Sequence, residues 1–66
     1  MVDVNHVPAE WLRNELDLTS EQVAELIQVR EERRGLHGLD DILTYCKTLS
    51  PQRLMLIEDR LVYLPW

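Results

Sequence analysis

Two short breaks with the same layout divide this chain, and they constrain its fold more than any other feature. The first break reads Asp17-Leu18-Thr19 and the second reads Thr48-Leu49-Ser50, so each encloses a leucine between polar residues. Apolar residues at helical spacing stand on both sides of each break. The pattern therefore predicts helix, turn and helix twice over, as two hairpins that share one core in a single domain spanning residues 1–66.

Local signals place the two helices of the first half. Pro8 suits the first turn of a helix running from Ala9 to about Leu16, because the N–H that proline lacks would be unpaired there. Thr19 followed three residues later by Gln22 is typical of a capping box, so a second helix is expected to start there.

The second half follows the connector Gly35-Leu36-His37-Gly38, in which Gly35 can supply the positive φ that ends a helix. Asp40 and Asp41 favour the first turn of a third helix, because acidic side chains complement the helix dipole there. Ser50-Pro51 is a favourable start for a fourth helix, which is expected to continue to Leu64. The side chains expected to face the core are Trp11, Leu12, Val23, Leu26, Ile27, Leu39, Ile42, Leu43, Cys46, Leu54, Ile57, Leu61 and Leu64.

The charge and residue content narrow the classes of function. The net charge is −5, which opposes general binding to nucleic acids or anionic membranes. Cys46 is the single cysteine, so no internal disulfide can form and a cytoplasmic location is expected. No apolar run reaches the roughly 20 residues that span a bilayer.

Residues suited to catalysis or metal binding do not cluster in the sequence. His6 and His37 are far apart, and no cysteine or carboxylate stands at metal-ligand spacing from them. Asp40 and Asp41 are neighbours that point apart on a helix, unlike a catalytic carboxylate pair. The sequence therefore predicts a protein that is not an enzyme and has no cofactor or metal.

Several short segments match, in order, those of a known family. The segments are Val2–Asn5, Pro8–Glu10, Leu12, Arg30–Glu32, Leu39–Leu43 and Cys46–Pro51. They resemble the tandem helix-hairpin-helix domain of bacterial ComEA-type competence DNA receptors, and residues 17–22 are similar to a stretch of the K-type minor pseudopilins of type II secretion. The resemblance implies an all-α, compact, SAM-like helical domain of four short helices in two helix-hairpin-helix-like units.

The two turns depart from that family's pattern. Each hairpin of the DNA-binding family carries Gly-hydrophobic-Gly, and the glycines let backbone N–H groups approach a phosphate. All four glycines are replaced in this sequence, and Asp17 puts a carboxylate where a phosphate would lie. In the connector, Leu36 and Gly38 replace an aromatic residue and a serine. The resemblance thus extends to the scaffold but not to the phosphate-binding glycines.

These observations favour a non-catalytic protein–protein interaction or adaptor module. The side chains predicted to form the partner surface are Gln52, Met55 and Tyr63, taken as exposed positions of the fourth helix, together with Trp66. Aromatic residues and methionine are enriched at interfaces. For Trp66 the other arrangement is packing back onto the core.

Two other functions stay open. One is sequence-independent binding of the DNA backbone through the second hairpin, with Lys47, Thr48, Ser50 and Arg53 as phosphate contacts; alternatively, Lys47 complements a helix C-terminus and Arg53 is solvated. The other is a subdomain of a secretion pseudopilin. A basic cluster of Arg30, Arg33 and Arg34 is interleaved with glutamates, so a solvated helix end with salt bridges is expected there.

Overall fold

A computed structural model describes residues 1–66, and four helices account for most of the regular structure. The elements in chain order are β1 (Val2–Asp3), α1 (Ala9–Leu16), α2 (Ser20–Glu32), α3 (Leu39–Tyr45), α4 (Pro51–Ile57), a 3-10 helix (Glu58–Arg60) and β2 (Leu61–Val62). The predicted all-α class with four helices is confirmed.

The helices begin where the local signals predicted. The Thr19 hydroxyl accepts a hydrogen bond from the Gln22 N–H (3.1 Å), and the Gln22 side chain accepts one from the Thr19 N–H (2.9 Å), which completes the capping box. Ser50 caps α4 by accepting from the Arg53 N–H (3.1 Å). Pro8 lies one position earlier than predicted, as the N-cap of α1. Capping is decided within a few residues, so the sequence alone is sufficient to locate it.

Left-handed backbone ends the first two helices. Asp17 has φ 53° at the end of α1, which an aspartate tolerates better than most residues. After α2, Arg34 has φ 54° and Gly35 has φ 103°, so the positive φ predicted at Gly35 is confirmed. The Gly35 N–H donates to the Arg30 carbonyl (2.7 Å) and closes the helix end.

Two short strands join the beginning of the chain to its last residues. Strands β1 and β2 are parallel, with Val2 opposite Leu61 and Asp3 opposite Val62. The Val4 N–H extends this ladder by donating to the Val62 carbonyl (3.1 Å). The expectation that α4 continues to residue 64 is therefore wrong, because the chain leaves the helix after residue 57 to reach β1.

One apolar core lies between the four helices and the small sheet. Its members are Val2, Val4, Leu12, Leu16, Leu18, Val23, Leu26, Leu36, Ile42, Cys46, Leu49, Leu54, Ile57 and Leu61. The central leucines of both turns, Leu18 and Leu49, belong to it. Burial raises the pKa of the Cys46 thiol to about 11, and the Glu25 carboxylate adds to the effect, so this cysteine is an unreactive core residue.

Three residues assigned to the core from the sequence are exposed instead. They are Trp11, Leu43 and Leu64. In α1 the buried face is formed by residues 12 and 16, which are four apart, and the side chain at 11 projects about 100° away from it. Position 43 stands in the same relation to the buried Ile42, and position 64 lies beyond the helix that was expected to bury it.

Two buried polar side chains fasten the turn that follows β1. Asn5 donates to the carbonyls of Leu36 (2.9 Å) and Leu64 (2.8 Å) and accepts from the Leu36 N–H (2.7 Å). Asn5 thus joins the N-terminal turn to the connector and to the segment after β2. We call Asn5 and its three hydrogen bonds the Asn5 clasp.

Arg30 of α2 is the second of these side chains. Its guanidinium donates from Nη1 to the carbonyls of Val4 (3.0 Å) and Val7 (2.7 Å), while its Nε is buried without a partner. Arg30 is 9% exposed, so the expected cluster of three solvated arginines is wrong at this position. Arg33 is exposed as expected, and its guanidinium lies 4.5 Å from the centre of the Tyr45 ring. Neither Arg30 nor Arg33 has a carboxylate within ion-pair distance.

The two glycines of the connector provide a matched pair for a stability prediction. A Cβ added at Gly35 would lie 2.9 Å from the Trp66 Cβ, on backbone with φ 103°, whereas one added at Gly38 meets nothing within 4 Å. We expect Gly35→Ala to cost about 2 kcal/mol of unfolding free energy. Gly38→Ala should cost about 0.5 kcal/mol or less. Urea denaturation measures both, and equal losses would contradict the contact between residues 35 and 66.

Candidate functional site: the two turns and the exposed face of α4

The two turns brace each other through equivalent side chains. Gln22 and Arg53 are each the third residue of the helix that follows a turn. The Gln22 amide donates to the Thr48 carbonyl (3.3 Å) in the second turn, and the Arg53 guanidinium donates to the Asp17 carbonyl in the first. The two halves of the chain are therefore joined by a reciprocal pair of contacts, and both turns lie at the same end of the molecule.

The second turn also binds a carboxylate from α2. Glu25 Oε1 accepts hydrogen bonds from the Thr48 N–H (2.8 Å) and the Thr48 hydroxyl (2.6 Å). Partial burial raises the pKa of Glu25, but the hydrogen bonds from Thr48 and the nearby Lys47 outweigh it, so the pKa lies below its usual value. The Lys47 ammonium itself donates to the Thr44 carbonyl (3.2 Å), at the end of α3. Thr48 therefore already binds a carboxylate of the same chain.

Arg53 is committed to the first turn. Besides the Asp17 carbonyl, its Nη2 contacts the Leu16 carbonyl (3.3 Å) and lies 3.5 Å from the Asp17 carboxylate. Arg53 is therefore only partly solvated, with 32% of its side chain exposed, and its guanidinium binds the first turn. The Asp17 side chain is 97% exposed, so a negative charge projects from this turn into solvent. Each of the four candidate phosphate contacts has an intramolecular partner.

The Glu25 contact gives a pH-dependent prediction. A carboxylate whose pKa is lower in the folded state stabilises the protein above its unfolded value, near 4.5. That stability is lost as the pH falls through the lower, folded value. We expect Glu25→Gln to cost about 1 kcal/mol at pH 7 and to flatten the loss of stability below pH 4.5.

Urea denaturation at several pH values between 3 and 7 measures this effect, with Glu21→Gln on the exposed side of the same helix as control. If the unfolding free energy of Glu25→Gln falls with decreasing pH as steeply as that of the wild type, then Thr48 does not stabilise the ionised carboxylate.

Helix α4 presents two large apolar side chains to solvent. Met55 and Leu56 are each 69% exposed, and Gln52 is exposed one turn earlier. Because residues three and four apart are neighbours on a helix, Gln52 lies beside both. We call these three residues the α4 face. Leu56 was not named from the sequence, although its spacing from Leu54 and Ile57 places it outside their inward stripe.

The other two predicted partner residues lie in the segment after β2. Tyr63 is half-buried against the core and is not part of α4, which corrects its assignment to that helix. Burial raises its pKa, with smaller contributions from the Glu58 and Asp41 carboxylates. Trp66 packs its Cβ against Gly35 and stacks on His6 with ring centroids 6.2 Å apart, yet it remains 55% exposed. The four predicted partner residues thus lie in two places, with Gln52 and Met55 on α4 and the other two in the segment after β2.

No family model, curated protein or solved structure matches the chain. No helix combines the length and apolar character required to cross a bilayer. No three side chains among histidine, cysteine, aspartate and glutamate are grouped so that they could hold a metal ion.

Proposed function

We propose that this chain is a non-catalytic protein-interaction module that binds its partner through the α4 face. The observation that carries the proposal is that Met55 and Leu56, consecutive residues of α4, are both largely exposed to solvent. Burying two such side chains at an interface contributes about 1.5–3 kcal/mol each before the costs of association. Methionine suits this role because its unbranched side chain adapts to the shape of a partner. Trp66, in the segment after β2, is a further exposed apolar side chain.

The internal contacts of the turns support this proposal over DNA binding. The Thr48 donors are used by Glu25, and the Arg53 guanidinium is used by the first turn. A phosphate would have to displace these partners while approaching a chain of net charge −5 and the exposed carboxylate of Asp17. We therefore keep binding to the DNA backbone as an outcome of the tests. A pseudopilin subdomain would also expose apolar residues, and its partner would be the remainder of the same protein.

Affinity capture from cells with two matched variants tests the proposal. Met55→Ser combined with Leu56→Ser removes the apolar side chains of the α4 face, and Leu43→Ser removes an exposed leucine of α3. We expect the wild type and Leu43→Ser to retain the same proteins, and the double variant to lose them while keeping the same circular dichroism. Retention of all partners by the double variant would overturn the proposal.

Titration with a short DNA duplex and a short single strand tests the other function. Amide chemical shifts of the labelled protein are recorded at low and then physiological salt. We expect no shifts at residues 48–53 in either condition. Shifts there that disappear with added salt would instead establish binding to the phosphate backbone, because neutralised phosphates release counterions.

A further inference from the structure

We propose that the partner segment bound by the α4 face is cationic as well as apolar. This inference rests on the proposed function and adds the charge of the partner to it. Its basis is the set of charged side chains around Met55 and Leu56, in which four exposed carboxylates outnumber two arginines that bind backbone carbonyls.

Exposed carboxylates border the α4 face at its C-terminal end. Glu58 and Asp59 follow α4 directly in the 3-10 helix, three and four residues after Met55, and both are exposed. Glu15 and Asp17 are also exposed, at the end of α1, which the arginines of this region bring against α4. Four carboxylates thus share the region of the apolar pair.

The two arginines of the same region hydrogen-bond to backbone carbonyls. Arg53 donates to the Leu16 and Asp17 carbonyls, and Arg60 donates to the Glu15 carbonyl (3.0 Å). Basic side chains near the end of a helix complement its unpaired carbonyls and its dipole. Only the Asp17 carboxylate has an arginine within ion-pair distance, at 3.5 Å, and it remains exposed. Four carboxylates against two arginines leave a net charge of −2 in this region, so the field around the α4 face is negative.

A partner segment that combines lysine or arginine with an apolar face complements this surface in two ways. Its apolar side chains cover Met55 and Leu56, and its cations lie opposite the surrounding carboxylates. An anionic segment with the same apolar face would meet like charges, which disfavour association. The exposed acidic residues of α2, Glu31 and Glu32, provide an internal comparison, because no large exposed apolar residue belongs to that helix.

Two synthetic peptides that differ only in charge test the inference. Both are amphipathic helices with a leucine stripe; one carries lysine and the other glutamate at every polar position. Amide shifts of the labelled wild-type protein report binding. We expect the lysine peptide to shift residues 52–60 and 15–17, with an affinity that falls as salt is added. The glutamate peptide should produce no shifts there.

Charge variants of the protein complete the experiment. We expect Glu58→Gln with Asp59→Asn to weaken binding of the lysine peptide about fivefold, because two rim charges contribute about 0.5 kcal/mol each. Glu31→Gln with Glu32→Gln changes the total charge equally and should leave the affinity unchanged. Equal weakening by both pairs would overturn the inference, since it would show a response to net charge alone.

The outcomes separate this inference from the proposed function. Binding of both peptides to the α4 face with similar affinity overturns the charge requirement and leaves the interaction module standing. The charge requirement is also overturned if the lysine peptide does not bind while the Met55→Ser, Leu56→Ser variant still loses its cellular partners. The interaction module stands in that case too. Absence of peptide binding together with retention of every cellular partner by that variant overturns both.

Discussion

Replacing Asn5 with alanine is expected to lower the free energy of unfolding by about 3–5 kcal/mol. The substitution removes the three hydrogen bonds of the Asn5 clasp and leaves the N–H and C=O of Leu36 buried without partners. An unsatisfied buried backbone group costs about 1–3 kcal/mol. A chain of 66 residues has about 3–10 kcal/mol of stability in total, so the variant should be largely unfolded at elevated temperature. Thermal denaturation followed by circular dichroism should show a midpoint lower by roughly 15 °C or more.

Asn14→Ala is the matched control, because Asn14 is exposed on α1 and its amide side chain makes no hydrogen bond within the protein. The control should change the midpoint by less than roughly 3 °C. A comparable midpoint for the two variants would mean that water replaces the hydrogen bonds of Asn5 without cost.

Replacing Arg30 with methionine is expected to cost about 2–4 kcal/mol. Two effects oppose each other at this site. Removing a buried guanidinium relieves the cost of keeping a charge out of water, and a methionine of similar volume would fill the space. Against this, the carbonyls of Val4 and Val7 lose their donor, and hydrogen bonds from charged groups contribute about 1.5–3 kcal/mol each. The guanidinium reaches both carbonyls from one nitrogen, so we expect the loss to exceed the gain.

Equilibrium urea denaturation measures the difference, with Arg30→Lys and Arg34→Met as companions. Lysine keeps the positive charge but lacks the planar guanidinium, so we expect Arg30→Lys to lose less unfolding free energy than Arg30→Met. Arg34 is exposed, and Arg34→Met should be nearly neutral. If Arg30→Met is as stable as the wild type, desolvation of the guanidinium dominates at this site.

The helix starts were predictable because short-range interactions decide them. The capping box of Thr19 and Gln22 and the Ser50 cap each depend on residues three apart in the sequence. The end of α4 was not predictable in this way. It depends on the pairing of β2 with β1, two-residue strands from opposite parts of the chain that have no recognisable local pattern.

The candidate site was only partly predictable for a related reason. Spacing along a helix identifies a stripe of apolar residues but not its width, so Trp11 and Leu43 were assigned inward although both are exposed. The burial of Arg30 and Asn5 depends on backbone carbonyls supplied from elsewhere in the fold. The contact between Glu25 and Thr48 likewise joins residues from different halves of the chain, and no local sequence pattern predicts it.

The parallel pairing of β1 with β2 determines how the domain responds to tension between its two flanks. In a parallel pair, the chain enters along one strand and leaves along the other in the same direction. Stretching the flanks therefore slides the strands past each other instead of peeling them apart one bond at a time. The bonds from Val4 to Val62 and from Asn5 to Leu64 then bear the load together. The two-stranded sheet, although it is the smallest part of the fold, is therefore the part that resists stretching.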